Sequence, residues 1–274
     1  MRKIKKVLVW GLCILIIIFG IYCALRYFSS KKTFLIPQII KEEVFGKPLK
    51  FAVSADIHLS FGNLQKALSK VKQDGAEFVI IAGDLTSLGK DNELKEAKSV
   101  LDASGVKYFV IPGNHDLWWS EKIKVDVFEK IFGKRYQTFK ADNIKFILID
   151  NGSWQGMGEE QMVWLKNELE ECPVFYCLVF THMPLNHPSS AHIMGEGNAK
   201  AASQAAELRK LFLEKKVKEV FSGHLHYSSS YELDGLKTTI VGSLADDRNY
   251  QFPRFLEVTK IGEGLEKREV TIEK

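Results

Sequence analysis

Five short apolar runs in this sequence end in residues that can hold a metal or move a proton. FAVSA runs into Asp56 and His58, EFVIIA into Gly83-Asp84, and KYFVI, through Pro112-Gly113, into Asn114-His115-Asp116. PVFYCLVF ends at Thr181-His182, and KEVFS at Gly223-His224-Leu225-His226. Five of the 7 histidines fall in these clusters. Carboxylate oxygen, neutral imidazole and one amide, with no thiolate among them, are the donors preferred by divalent metals of intermediate hardness. A single such histidine is most simply a satisfied core residue. Five clusters, each just past an apolar run, point instead to one shared metal centre. Glycines at 83, 113 and 223 suit tight turns and close backbone approach.

The elements that must carry these residues follow from hydrophobic patterning. Residues 51–55, 77–82, 107–111, 143–150, 173–180 and 218–221 read as buried strands. Between them, 64–72, 92–103, 159–169 and 199–213 read as helices, and 228–271 is strand-like without clear helices. Strands alternating with helices predict an α/β layered domain, with a second or mixed sheet from the strand-rich tail. In such sheets the loops beyond the carboxyl ends of the strands form the binding crevice, so the five clusters are expected on one rim.

Taken in order, Asp56-x-His58, Gly83-Asp84, Gly113-Asn114-His115-Asp116, His182 and Gly223-His224-x-His226 resemble the motif set of calcineurin-like metallophosphoesterases. The resemblance runs from about residue 50 to the C-terminus, and no ligand position departs from it. It implies a four-layer α/β sandwich, two mixed β-sheets flanked by helices. It also implies that Asp56, His58 and His226 hold one metal, Asn114, His182 and His224 a second, and that Asp84 bridges both. The cofactors would be two divalent ions drawn from manganese, iron, zinc or cobalt. The implied reaction is hydrolysis of a phosphodiester or phosphomonoester by a bridging hydroxide held between ions about 3.5–4 Å apart. His115 would protonate the leaving oxygen, and Asp116 would either orient His115 or cap a turn. Nucleotide and lipid-linked phosphate esters are the substrates this family resemblance brings forward. A nuclease and a non-catalytic metal-bound docking subunit are the alternatives.

Charge weakens the nuclease reading. Of 38 basic residues, seven lie within residues 1–32, which hold no acidic one; the remainder carries 31 basic against 34 acidic residues. The domain is thus slightly acidic, without a strong nucleic-acid signal. After a short basic N-terminus (1–6), residues 7–25 form an uncharged run of 19, close to the length that spans a bilayer. This predicts an uncleaved single-pass transmembrane anchor, a tether over 26–48 and a metallophosphoesterase domain over 49–274. Positive charge is heavier before the run than after it, which favours an extracytoplasmic domain. Cys172 and Cys177, placed along an extended strand, are expected to lie too far apart to bond.

Other polar and aromatic residues have simpler readings. Trp118 and Trp119 follow the third cluster and are expected to pack a loop rather than stack on a substrate. His187 and His192 sit in a long segment after His182, as a solvated loop or a lid. Asp246-Asp247 reads as a turn.

Overall fold

The computed structural model describes residues 48–273. The predicted anchor over 7–25 and nearly all of the tether lie outside the described residues. Among the described residues, no helix is long and apolar enough to cross a membrane.

Two mixed sheets form the frame. The first has the order β11-β10-β1-β2-β3, from Gly264–Thr271, Arg254–Ile261, Lys50–Ser54, Val79–Ala82 and Tyr108–Ile111. The second has the order β4-β5-β6-β7-β9-β8, from Gln137–Ala141, Ile144–Leu148, Tyr176–Phe180, Glu219–Ser222, Leu236–Ile240 and Ser229–Leu233. β1, β2 and β3 run parallel, as do β5, β6, β7 and β9. Their carboxyl ends therefore open on one side of each sheet.

Side-chain alternation explains the layering. Phe51, Val53, Ile80 and Ala82 of the first sheet meet Phe146, Leu148, Leu178, Phe180 and Phe221 of the second in one buried cluster. Every second residue points the other way. Ala52, Val79 and Ile81 pack under helices α1 (Phe61–Gln73) and α2 (Asp91–Ser104), through Leu64, Leu68, Leu94 and Leu101. Cys177, Val179 and Val220 pack under α5 (Glu159–Leu169) and α6 (Ala199–Glu214), through Leu165, Leu169, Leu208 and Phe212. Strands buried on both faces read as continuous apolar runs, which is why they were visible in the sequence. The result is the four-layer α/β sandwich. Two further helices, α3 (Asn114–Ile123) and α4 (Val127–Phe132), follow β3.

One expectation is overturned. Cys172 and Cys177 form a disulfide, with Cα atoms 5.3 Å apart. The strand begins at Tyr176 rather than at 173, and the preceding residues form a turn after α5. Backbone bonds from Cys172 N to Leu169 O and from Phe175 N to Glu171 O fold that turn back, so the fully extended spacing does not apply.

Candidate metal centre

Backbone conformation at the strand ends differs sharply from that of the strands. Asp56, His58, Asp84, His224 and His226 all have positive φ, between 44° and 72°. Left-handed backbone is uncommon outside glycine, though Asp and His tolerate it better than most. Such residues cost of order 1–3 kcal/mol each and persist where the surroundings over-determine them. Here the surroundings are a set of cross-strand bonds. Asp56 N donates to Gly83 O, while Ile57 N and His58 N both donate to Asp84 O. His224 N donates to the Asp56 carboxylate at 2.9 Å, and Ser243 Oγ donates to Asp56 O at 2.7 Å. Gly83 (φ +93°) has no room for a side chain, since a Cβ there would strike the His182 ring and lie 2.8 Å from Gly113. Gly113 is packed as tightly against the Asp84 carboxylate.

These turns bring all seven sequence-identified donors together. The carboxylate and imidazole donors fall into two groups, Asp56, His58, Asp84 and His226, and Asp84, His182 and His224, with the atoms of each within 4.8 Å of one another. Asp84 belongs to both. Its Oδ2 lies 3.6 Å from His58 Nε2 and 3.3 Å from His182 Nε2. Asn114 joins the second group, with Oδ1 3.0 Å from His182 Nε2.

Hydrogen bonding on the outer side fixes which ring nitrogens face inward. A carbonyl oxygen can only accept, so His182 Nδ1–H donates to Ala82 O (2.9 Å) and His226 Nδ1–H to Arg248 O (2.8 Å). Nε2 of each then faces into the cluster, the orientation typical of metal-binding histidines. His58 Nε2 and His226 Nε2 stand 3.1 Å apart, and His224 Nδ1 and His182 Nε2 3.2 Å. Two donors on one first-row dication at about 2.1 Å would be separated by about 3.0 Å at a right angle and about 3.4 Å at the tetrahedral angle. The observed spacings match that range. Ring nitrogens this close need a shared proton or a cation between them, so the cluster fits a pair of divalent ions.

Charge tells the same story. Burial opposes the Asp84 carboxylate, yet the adjacent His182 and His58 hold its pKa well below the carboxylate range. Burial also opposes the His182 imidazolium, but Asp84, by charge and hydrogen bond, raises its pKa to about 9. Burial outweighs Asp84 at His58, pushing it down to about 3, and drives His224 well below its ordinary value. Burial raises Asp56 despite His226 and His182. A buried anion that captures a proton on its neighbour is a site that attracts positive charge.

His115 and Asp116 begin α3. His115 N donates to Asp84 Oδ1 (2.9 Å), and its Nδ1–H donates to Ser87 O (2.8 Å), which leaves Nε2 free. Asp116 does not touch the His115 ring. Its carboxylate accepts from Gly113 N, Leu85 N, Thr86 N and Thr86 Oγ1, so it ties the loop after β2 to the start of α3. Burial raises its pKa to about 6, with Asp84 adding to the effect. Of the two sequence readings for Asp116, the structure displays the cap.

The site also includes residues outside the motifs. Asn151 is fully buried, and its Oδ1 accepts from His182 N and Met183 N. It follows β5 as the other donors follow their strands, so the same strand-end signal marked it in the sequence. Of these two tryptophans, Trp119 packs against the core while Trp118, with Trp154, lines the cavity over the centre. His192 stacks on His224, whereas His187 is bonded to Tyr227 away from the donors. Asp246 accepts from Asn63 within a turn.

Comparison with known proteins agrees with this architecture. The chain belongs to the calcineurin-like phosphoesterase family, whose model matches residues 49–228. It is 31% identical over 143 residues to a protein of Arcobacter nitrofigilis named "Probable glycerophosphodiester phosphodiesterase GpdQ", covering 47% of this chain and 49% of that one. The chain thus spans about half the length of that relative. A Fibrobacter succinogenes protein named "Probable cyclic nucleotide phosphodiesterase" is 23% identical over 218 residues, 77% of this chain and 79% of its own. Among solved structures, a dimetal phosphatase from Danio rerio shares the fold with a TM-score of 0.59 at 15% identity, covering 82% of this chain and 99% of that chain.

Proposed function

We propose that this protein is a phosphodiesterase that works with two divalent metal ions, held respectively by Asp56, His58 and His226 and by Asn114, His182 and His224, with Asp84 shared. The observation that carries this reading is the convergence of six further donor side chains on Asp84, with no lysine or arginine among the described residues paired to them. When bound, such ions supply Lewis acidity to phosphoryl oxygens and a nucleophile from water at neutral pH. The chain's own residues do the rest. His182 and His226 are kept in the ligating tautomer by Ala82 O and Arg248 O. Asp84 and Asp56 keep the site anionic, and the folded strand ends hold the donors in place before any ion arrives.

Hydrolysis adds a water oxygen to phosphorus, breaks one ester P–O bond and needs a proton on the departing oxygen. His115 is suited to give that proton. It faces the cavity beside Asp84 and Asn114, and Ser87 O steadies Nδ1–H so that Nε2 can carry and release the second proton. The names of the Arcobacter and Fibrobacter relatives favour a diester substrate. The test is the full-length protein loaded with manganese, assayed on bis(p-nitrophenyl) phosphate and p-nitrophenyl phosphate. Preferential turnover of the diester, abolished by a chelator and restored by metal, is expected; inactivity on both esters with two metals bound contradicts the reading.

The same proposal places the domain outside the cytoplasm, anchored through residues 7–25. The Cys172–Cys177 bond supports it, because disulfides persist in oxidising compartments. Protease added to intact cells should then cleave the domain, and full protection would exclude this orientation.

A further inference from the structure

Two cavities open over the metal centre, of about 410 Å³ and 600 Å³, and they meet along His192, His224 and His226. His192 forms the partition. Its ring stacks on His224 with centroids 4.0 Å apart and planes 19° apart, and Nδ1–H donates to Glu196 at 2.6 Å. The two sides differ. One is lined by Asn114, His115, Trp118 and Trp154. The other holds Tyr227, Tyr250 and Arg248. Trp118 is 56% exposed and Tyr250 82%, so neither ring is there to fill the core. Large rings left open beside a polar centre form binding surface rather than packing.

We infer that these two lobes are separate subsites for the two ester substituents of a phosphodiester. The inference rests on the phosphodiesterase reading and extends it to substrate form. The leaving group occupies the tryptophan lobe, because the candidate proton donor His115 lies on that side and its ring meets Trp118 edge-on at 6.1 Å. The substituent that stays on phosphorus occupies the tyrosine lobe. There the Tyr250 ring offers a face to a planar group, and the Arg248 guanidinium offers donors to its acceptor atoms. A planar, acceptor-rich substituent such as a nucleoside base meets both requirements. Arg248 also has positive φ (55°), and its carbonyl holds His226, so the same turn sets a metal donor and the wall of this subsite.

The test compares bis(p-nitrophenyl) phosphate with methyl p-nitrophenyl phosphate on the full-length, manganese-loaded protein. Both esters lose the same leaving group, and only the first has a ring to place in the tyrosine lobe. Tyr250→Ala should lower the ratio of kcat/KM between the two esters at least about fivefold, through KM, since stacking on one ring contributes about that much or more. Trp118→Ala should lower kcat/KM for both esters and leave their ratio within about twofold. A binding readout runs in parallel. p-Nitrobenzylphosphonate has no ester bond to cleave, and its quenching of tryptophan fluorescence should require at least about fivefold higher concentration in Trp118→Ala. An unchanged ester ratio in Tyr250→Ala, or a ratio altered by Trp118→Ala instead, overturns the assignment of lobes. Inactivity of the wild type on both esters would defeat the phosphodiesterase reading itself, a result distinct from either.

Discussion

Two polar clusters, each built on a buried side chain, have opposite electrostatics in this molecule. Around Lys145, whose side chain is 3% exposed, the charges are matched: Nζ lies 2.7 Å from Glu168 Oε2, 2.7 Å from Glu168 O and 2.8 Å from Glu171 Oε2. Hydrogen bonds from Lys145 and then Lys140 hold the Glu171 carboxyl down to about 2. Every strong acceptor there has a protein donor. Around Asp84 the count is reversed, with carboxylates, an amide oxygen and inward lone pairs of imidazole facing one another. Both clusters are polar and each has a buried side chain at its heart, so polarity alone does not mark a candidate metal centre. The surplus of acceptors over donors does.

That contrast can be broken at its sharpest point by removing the shared anion. Asp84→Ala should lose bound metal and fall to background turnover on bis(p-nitrophenyl) phosphate, measured by elemental analysis and initial rates. Two equivalents of tightly held metal in that variant would refute the shared role. His115→Ala separates proton transfer from metal binding. It should retain both ions yet lose ~10²–10⁴ in turnover. Loss of metal in this variant would assign His115 to the centre's structure instead of its chemistry.

A pH series sharpens the comparison further. In the metal-free protein, His182 titrates near 9 when folded against 6.5 when unfolded, so the folded state binds its proton more tightly. The resulting stability is fully present below pH 6.5 and is lost as pH rises through 9, an effect of up to about 3 kcal/mol. Metal competes with that proton for the same nitrogen, so the stability that metal adds over the metal-free protein should grow across the same window. Thermal melts between pH 6 and 9.5 should show the difference in Tm with and without manganese widening as pH rises. A difference that stays constant with pH would mean that proton and metal do not share the site. At the balanced cluster, Lys145→Met should lower Tm by about 2–8 °C while metal content stays at two equivalents. A fall in metal content would show that the two clusters are coupled.

How far the sequence reached depended on what each segment contributes locally. Strands buried on both faces, such as Phe51–Ser54 and Tyr176–Phe180, announce themselves as apolar runs, and the donors stand at fixed offsets beyond them. The four layers and the seven clustered donors were therefore legible. Helix α3 was not, because Asn114-His115-Asp116 serves the site and the helix start together, and its buried face is only Asp116, Leu117 and Ser120. Edge strand β4 was missed for a related reason, since none of its five residues is fully buried. The disulfide escaped because a turn, rather than the strand, occupies the residues just after Cys172. Trp118, Trp154 and the Arg248–Tyr250 pair come from three separate segments, and no spacing rule brings such residues to one cleft.

The central claim is that the acceptors around Asp84 cage two neighbouring cations. Anomalous diffraction from crystals of the manganese-loaded protein tests it most directly. Two peaks are expected, one among Asp56, His58 and His226 and one among Asn114, His182 and His224, each in contact with the Asp84 carboxylate. A single peak, or manganese bound elsewhere while these side chains bond only to one another, would contradict it.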